Sequence, residues 1–321
     1  MIDRACVSNR FRAIELIFSV TRATAVGLTL LSISAQAQTE ENRARTRADD
    51  SVPLPTTTVV GTNSFREETP MGPYQQPEWT ARRRFITTRV YVQPPWQVEA
   101  EIGLDATFPR QGKTELLLQE EIELGLPHRF QVDFENHDQN FHEGEGAGDW
   151  HHDSNSIELG YAFADWGKLP LNPTIKGEWK FNNAAADAYE FQLLLGDEIA
   201  PRWHYGLNLF FEHQVGDDRH QEIAASQALS YTLLDSKLGV GAEMKFTSES
   251  DKDIRNNPEN KFLLGPSLQW RPTKRTHLNL VPLFGVNGDA PTCELLVFFG
   301  MEFGPGSREP EGLVPGSFRG K

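Results

Sequence analysis

The chain has 321 residues, a formal net charge of −14 and a mean hydropathy of −0.48. Such acidity disfavours a nucleic-acid backbone as partner, while 38% apolar residues suffice for a large buried or lipid-covered surface. With only Cys6 and Cys293, a disulfide framework is excluded.

Near the amino end, "RATAVGLTLLSISAQAQ" sets Arg22 before an apolar run and small residues at Ala35 and Ala37. This is the build of a secretory signal peptide, 1–37, cleaved after Ala37, and Cys6 leaves with it. Residues 38–80 are polar, carry prolines and lack sustained periodicity, so a disordered periplasmic linker is expected there. Within them "PTTTVVGTN" at 55–63 looks like the energy-coupling box of TonB-dependent receptors. Those receptors need a plug domain and about twenty-two strands, so TonB-like coupling is not expected of this chain. Residues 81–95, "ARRRFITTRVYVQPP", form a basic, strand-like segment with Arg82, Arg83, Arg84 and Arg89.

From Trp96 the pattern alternates at every step. In "WQVEAEIGLDATF" the residues Trp96, Val98, Ala100, Ile102, Leu104, Ala106 and Phe108 share one parity, and polar residues fill the other. About twelve such strands follow one another: 96–108, 114–126, 129–138, 156–164, 174–181, 188–196, 203–215, 221–232, 237–246, 261–270, 277–286 and 294–303. The eighth is weakened by Gln227 on its apolar parity, and the eleventh by an internal Pro282. Tight connections at 127, 165, 197, 233 and 271 alternate with longer polar ones, notably at 139 and 247. Short turns at one end and long loops at the other are the pattern of transmembrane barrels, with the short turns in the periplasm. An apolar parity facing a protein core, as in a soluble sandwich or a lipocalin-like barrel, is the competing reading. The even strand number, the signal peptide, strands near the length needed to span a bilayer, and Trp96, Trp203 and Trp270 together at one end favour lipid outside.

The pattern resembles the small, porin-like outer-membrane β-barrel proteins of Gram-negative bacteria. The resemblance implies an all-β, antiparallel transmembrane barrel over 96–303, located in the bacterial outer membrane, with outer-membrane lipid and the barrel assembly machinery as partners. Phe303 is the expected assembly signal, although residues 304–321 follow it as a tail.

On the inward parity stand Glu99, Glu101, Asp105, Glu115, Glu121, Glu123, Asp133, Glu135, Glu158, Glu178, Glu190, Glu212, Glu222, Glu243, Glu294 and Glu302, against Arg129, Lys176, Lys180, Lys237 and Lys245. A low-dielectric wall focuses the field of such charges, so a narrow pore attracting cations is expected; a merely hydrated polar face is the bland alternative. The excess carboxylates need counter-charges, and Arg82, Arg83, Arg84 and Arg89 are candidates for a partial plug at the periplasmic mouth, with "VQPPW" turning the chain into the wall. A tail meeting solvent or lipid head groups is the other possibility for them.

The loop histidines His137, His142, His151 and His152 lie among carboxylates, but their spacing matches no closed metal motif, so no metal and no cofactor is expected. "HDSN" at 152–155 is similar to the active-site segment of outer-membrane phospholipases, yet Ala162 stands near the position of the expected serine. The leading function is passage or binding of small cationic or neutral solutes. A closed structural or adhesive barrel acting through its loops, and a barrel-embedded hydrolase, are the alternatives.

Overall fold

A computed structural model describes residues 65–142, 148–216 and 218–304. The signal-peptide, coupling-box and tail expectations lie outside these residues, apart from Gly304.

Two short strands, β1 (Pro70–Met71) and β2 (Gln76–Pro77), form a small hairpin. Twelve long strands follow and close into one antiparallel barrel. They are β3 (Val98–Phe108), β4 (Thr114–Leu126), β5 (Phe130–His142), β6 (His151–Ala162), β7 (Thr174–Asn182), β8 (Ala188–Ala200), β9 (Trp203–Gln214), β10 (Gln221–Leu234), β11 (Leu238–Ser250), β12 (Glu259–Trp270), β13 (Thr276–Gly285) and β14 (Cys293–Phe303). Each pairs with its sequence neighbours, and β14 pairs with β3 to remove both edges. All twelve alternating stretches are therefore strands. Hairpins β5–β6 and β10–β11 run on past the alternating stretches at the long-loop end, because ladder hydrogen bonds continue where side chains are polar on both faces.

Gln227 is accommodated in β10 by donating to the Tyr205 hydroxyl at 2.8 Å. Pro282 sits where the β12–β13 ladder is interrupted: pairing runs from Leu263 to Leu264 and resumes at Leu268. Pro282 cannot donate to that ladder, and Pro266 lies in the same gap.

The apolar parity points outward. Ile102, Ile122, Phe134, Leu159, Phe191, Leu209, Ile223, Leu264 and Phe299 are exposed on the wall, as are Trp96, Trp203 and Trp270 at the short-turn end. One outward row departs from this, Glu120 beside Asn136 and Asn155 on β4, β5 and β6.

The buried core lies inside the barrel and is filled by residues 65–95. From Gln76 to Pro94 every residue is buried or half-buried, which corrects the linker boundary drawn at residue 80. Nor is 81–95 a strand. Its backbone groups are taken up by wall side chains instead: Glu243 accepts from the amides of Ile86 and Thr87, Gln131 from that of Gln93, and Asn279 donates to the Arg83 carbonyl. The connection at 163–173 is not tight either; it folds under the mouth and brings Trp166 edge-on to Trp79 and Tyr91. Two basic residues assigned to the inward parity belong to the turns: Lys237 is exposed, and Arg129 pairs with Asp165 at 3.0 Å.

Candidate functional site in the barrel lumen

Strand register determines what the inward carboxylates face. Glu302 on β14 lies opposite Glu99, which pairs with Glu123, then Asp133, Glu158, Glu178, Glu190, Glu212, Glu222, Glu249 and finally Glu259 on β12. One acidic residue thus stands on every barrel strand except β13, directly opposite the next. Glu99 is near the short-turn end of β3 and Glu222 near the long-loop end of β10, so the row climbs from mouth to mouth. Directly opposed like charges destabilise a sheet; this row requires cations alongside it.

Those cations come from two sources. In the upper part they are wall lysines. Lys180 reaches Glu190 at 3.5 Å and Glu212 at 2.5 Å, and Lys261 reaches Glu249 at 2.6 Å. In the lower part they are Lys176, two residues from the short-turn end of β7, which reaches Asp133 at 3.0 Å and also contacts Glu158, and the arginines of residues 82–89. Arg82 reaches Glu302 at 3.2 Å and Glu78 at 2.6 Å, and Arg89 contacts Glu123, with Glu121 at 3.7 Å and Glu99 at 3.9 Å. Arg83 contacts Glu101 and lies 3.3 Å from Glu121. Arg84 is held by Glu67 at 3.2 Å, Ser230 at 2.8 Å, Thr232 at 2.6 Å and Gln269 at 3.2 Å. Burial pulls the Arg83 guanidinium down to about 10, helped by Arg89 and opposed by Glu121, so it stays cationic at neutral pH.

The chain enters the wall through Pro94, Pro95 and Trp96. Trp96 takes a left-handed φ of 66°, rare for a bulky residue, and its amide donates to the Gly125 carbonyl at 2.7 Å.

Above the inner segment the lumen is open. A chamber of about 240 Å³ has Arg83, Ile86 and Thr87 in its floor and Asp105, Glu190 and Phe298 in its walls. It shares Asp105, Lys245 and Glu294 with a cavity of about 570 Å³ near the long-loop end, where Glu115, Glu249 and Asp289 also face Lys261 and Arg110.

Glu99, Glu101, Glu121, Glu123, Asp133, Glu158, Glu178 and Glu243 are buried in the lumen, while Asp105, Glu135, Glu190 and Glu212 are half-buried there. A closed antiparallel barrel with an apolar outside and a charged inside is the outer-membrane architecture. The chain has the fold of an outer-membrane β-barrel. No protein-family model and no curated protein matches it. Among solved structures it is similar to the NanC porin at 13% identity, over 65% of this chain and 100% of that one, with a TM-score of 0.45. It is similar to the COG4313 outer membrane channel from Pseudomonas putida F1 at 8% identity, over 67% and 98%, with a TM-score of 0.49. The beta domain of the Bordetella autotransporter BrkA follows at 11% identity, over 65% and 98%, with a TM-score of 0.43.

Among the described residues the loop histidines do not converge. His137 bonds Ser154 at 3.3 Å, His152 faces Asp138 at 3.2 Å, and His151 stacks on Phe141; the His142 side chain lies outside the described part. The imidazole and carboxylates that do converge are His277, Glu99 and Glu101, with ligand atoms within 4.8 Å of one another. Arg83 and Arg89 already contact those carboxylates, so the group reads as part of the ion-pair network. His277 and Phe298 escape sequence reading, because β13 carries no charge to set its parity and "ELLVFFGMEF" is an almost unbroken apolar run. Glu294 and Glu302 share the parity of Phe298 and were the available signal.

Proposed function

We propose that this barrel is a channel of the outer membrane for small cationic or neutral solutes, closed at its periplasmic end by residues 65–95 acting as a plug. The observation that supports it is the acidic row climbing from one mouth to the other, whose lower part is covered by arginines of a separate segment and whose upper part borders open space. A row of carboxylates in a low-dielectric wall attracts cations and excludes anions. Wall lysines accompany the upper row, so the field is moderated there and neutral solutes are not barred.

Single-channel recording in planar bilayers tests the reading. Thr88 and Ser226 hydroxyls lie 3.0 Å apart between segment and wall, so a disulfide formed by Thr88→Cys with Ser226→Cys should hold the segment in place. Conductance should be low when oxidised, rise on reduction and favour cations at low salt. Deleting residues 38–90 should give a persistently open channel, where the reduced form opens only transiently. Anion selectivity, or equal conductance in all these forms, would refute it.

The filled lower lumen also supports the second reading, a closed barrel acting through its loops; silence of the reduced and deleted forms would favour it. The hydrolase reading is third: Ser154 Oγ meets His137 at 3.3 Å, and His137 faces Glu135 at 3.4 Å, but Ala162 stands near the position where the phospholipase-like segment calls for its serine.

A further inference from the structure

The arginine at the chamber floor occupies a built guanidinium site. Arg83 is clasped by two carboxylates, Glu101 and Glu121, each 5% exposed, and its guanidinium carbon lies 4.9 Å from the centroid of the Phe298 ring. Two carboxylates and an aromatic plate are the groups that favour a flat, delocalised guanidinium over a compact ammonium. Phe298 can lie there because Gly103 is its partner across the ladder; a Cβ on Gly103 would stand 2.3 Å from the ring. The Glu101 Oε2 oxygen is buried without a hydrogen-bond donor, 3.7 Å from His277 Nε2, so the carboxylate has acceptor capacity that Arg83 does not use. Arg83 itself is tied to its own chain through the Phe85 and Ile86 carbonyls, at 3.3 and 3.1 Å, and the chamber above reaches it from the long-loop side.

From this geometry we infer that Arg83 is an internal stand-in for the ligand: the lumen site of Glu101, Glu121 and Phe298 binds solutes that carry a guanidinium group, and such a solute competes with Arg83 for it. The inference deepens the channel reading by naming the solute chemistry, and its test is one of binding. Titration calorimetry on the full-length, detergent-solubilised protein would use agmatine, which carries a guanidinium and an ammonium, and cadaverine, which carries two ammonium groups. With Arg83→Ala the site is vacant, and agmatine should bind once per barrel, at least tenfold more tightly than to the wild type and at least tenfold more tightly than cadaverine. Adding Glu101→Gln and Glu121→Gln should abolish this binding, and adding Phe298→Leu should narrow the preference for agmatine. Equal binding of the two amines, equal affinity in wild type and Arg83→Ala, or indifference to the glutamate substitutions would overturn it. Heat-modifiable gel mobility reports whether each variant is folded. Should Arg83→Ala not fold, labelling of Thr88→Cys by an impermeant maleimide replaces it: agmatine should accelerate labelling where cadaverine does not, and no acceleration overturns the inference. Binding without conductance would instead sink the channel reading alone.

Discussion

Replacing Arg84 by methionine removes a buried cation whose partners are all nearly buried. The Arg84 and Glu67 side chains are 3% and 5% exposed, and they meet at 3.2 Å. Taking one partner from a buried pair costs about 3–5 kcal/mol, because the other charge is left uncompensated; with so little exposure no large discount for solvent screening applies. At about 1.4 kcal/mol per power of ten, the population of the released segment should rise by about a hundred- to several-thousand-fold. The assay is maleimide labelling of Thr88→Cys with the native cysteines replaced, in lipid nanodiscs, where labelling tracks the open population while opening and closing are fast. Glu67→Gln added to Arg84→Met removes the orphaned carboxylate and should restore slow labelling to within about tenfold of the parent. Arg66→Met, which touches Glu78 at 3.3 Å from a side chain 41% exposed, should change the rate little. Labelling of Arg84→Met within twofold of the parent, or a double variant as fast as the single one, would refute the reasoning.

Three further outcomes are expected. Leu209→Arg places a charge on the lipid face and should cost about 2–4 kcal/mol in urea unfolding from vesicles; Gln192→Arg, whose parent amide bonds Glu158 and Glu190 inside, should cost far less, and equal losses would mean the faces are misassigned. A Cβ at Gly206 would lie 2.7 Å from Thr88 and 2.9 Å from Val90, so Gly206→Val should expel the segment and speed Thr88→Cys labelling while the wall unfolds no sooner than before. Neutralising Glu115 and Glu249 in the upper cavity should lower cation preference at low salt but not at high salt, whereas neutralising Glu99, Glu101 and Glu121, which hold Arg83 and Arg89, should raise conductance by loosening the segment.

The wall was legible because a period of two is written into each strand separately: Glu99, Glu101 and Asp105 declare a face without knowledge of any partner. What they oppose was not legible. Glu99 meets Glu123 and Glu302 through register, which depends on turn lengths and the closing pair, so the list of inward acids could be read while the climbing row could not. Residues 65–80 look unstructured alone because Tyr74 and Trp79 have no periodic companions nearby; their companions are the wall residues Leu126 and Glu198, far along the chain. The neutral partners of Arg84, namely Ser230, Thr232 and Gln269, carry no sequence signal, since any polar residue on that parity reads alike.

The junction at Pro94–Trp96 has a kinetic consequence. Residues 65–95 run straight into β3, with the Gln97 amide bonded to the Pro94 carbonyl at 3.1 Å, so the segment cannot diffuse away once it leaves its place. Its return is a unimolecular event at an effective concentration on the order of millimolar. Reclosing is therefore independent of how much protein is present, and a free competitor of equal intrinsic affinity must itself approach millimolar levels to keep the lumen clear. If the channel reading and the competition proposed above hold, the link between segment and wall sets a concentration threshold: dilute solute leaves the barrel shut, and abundant solute holds it open.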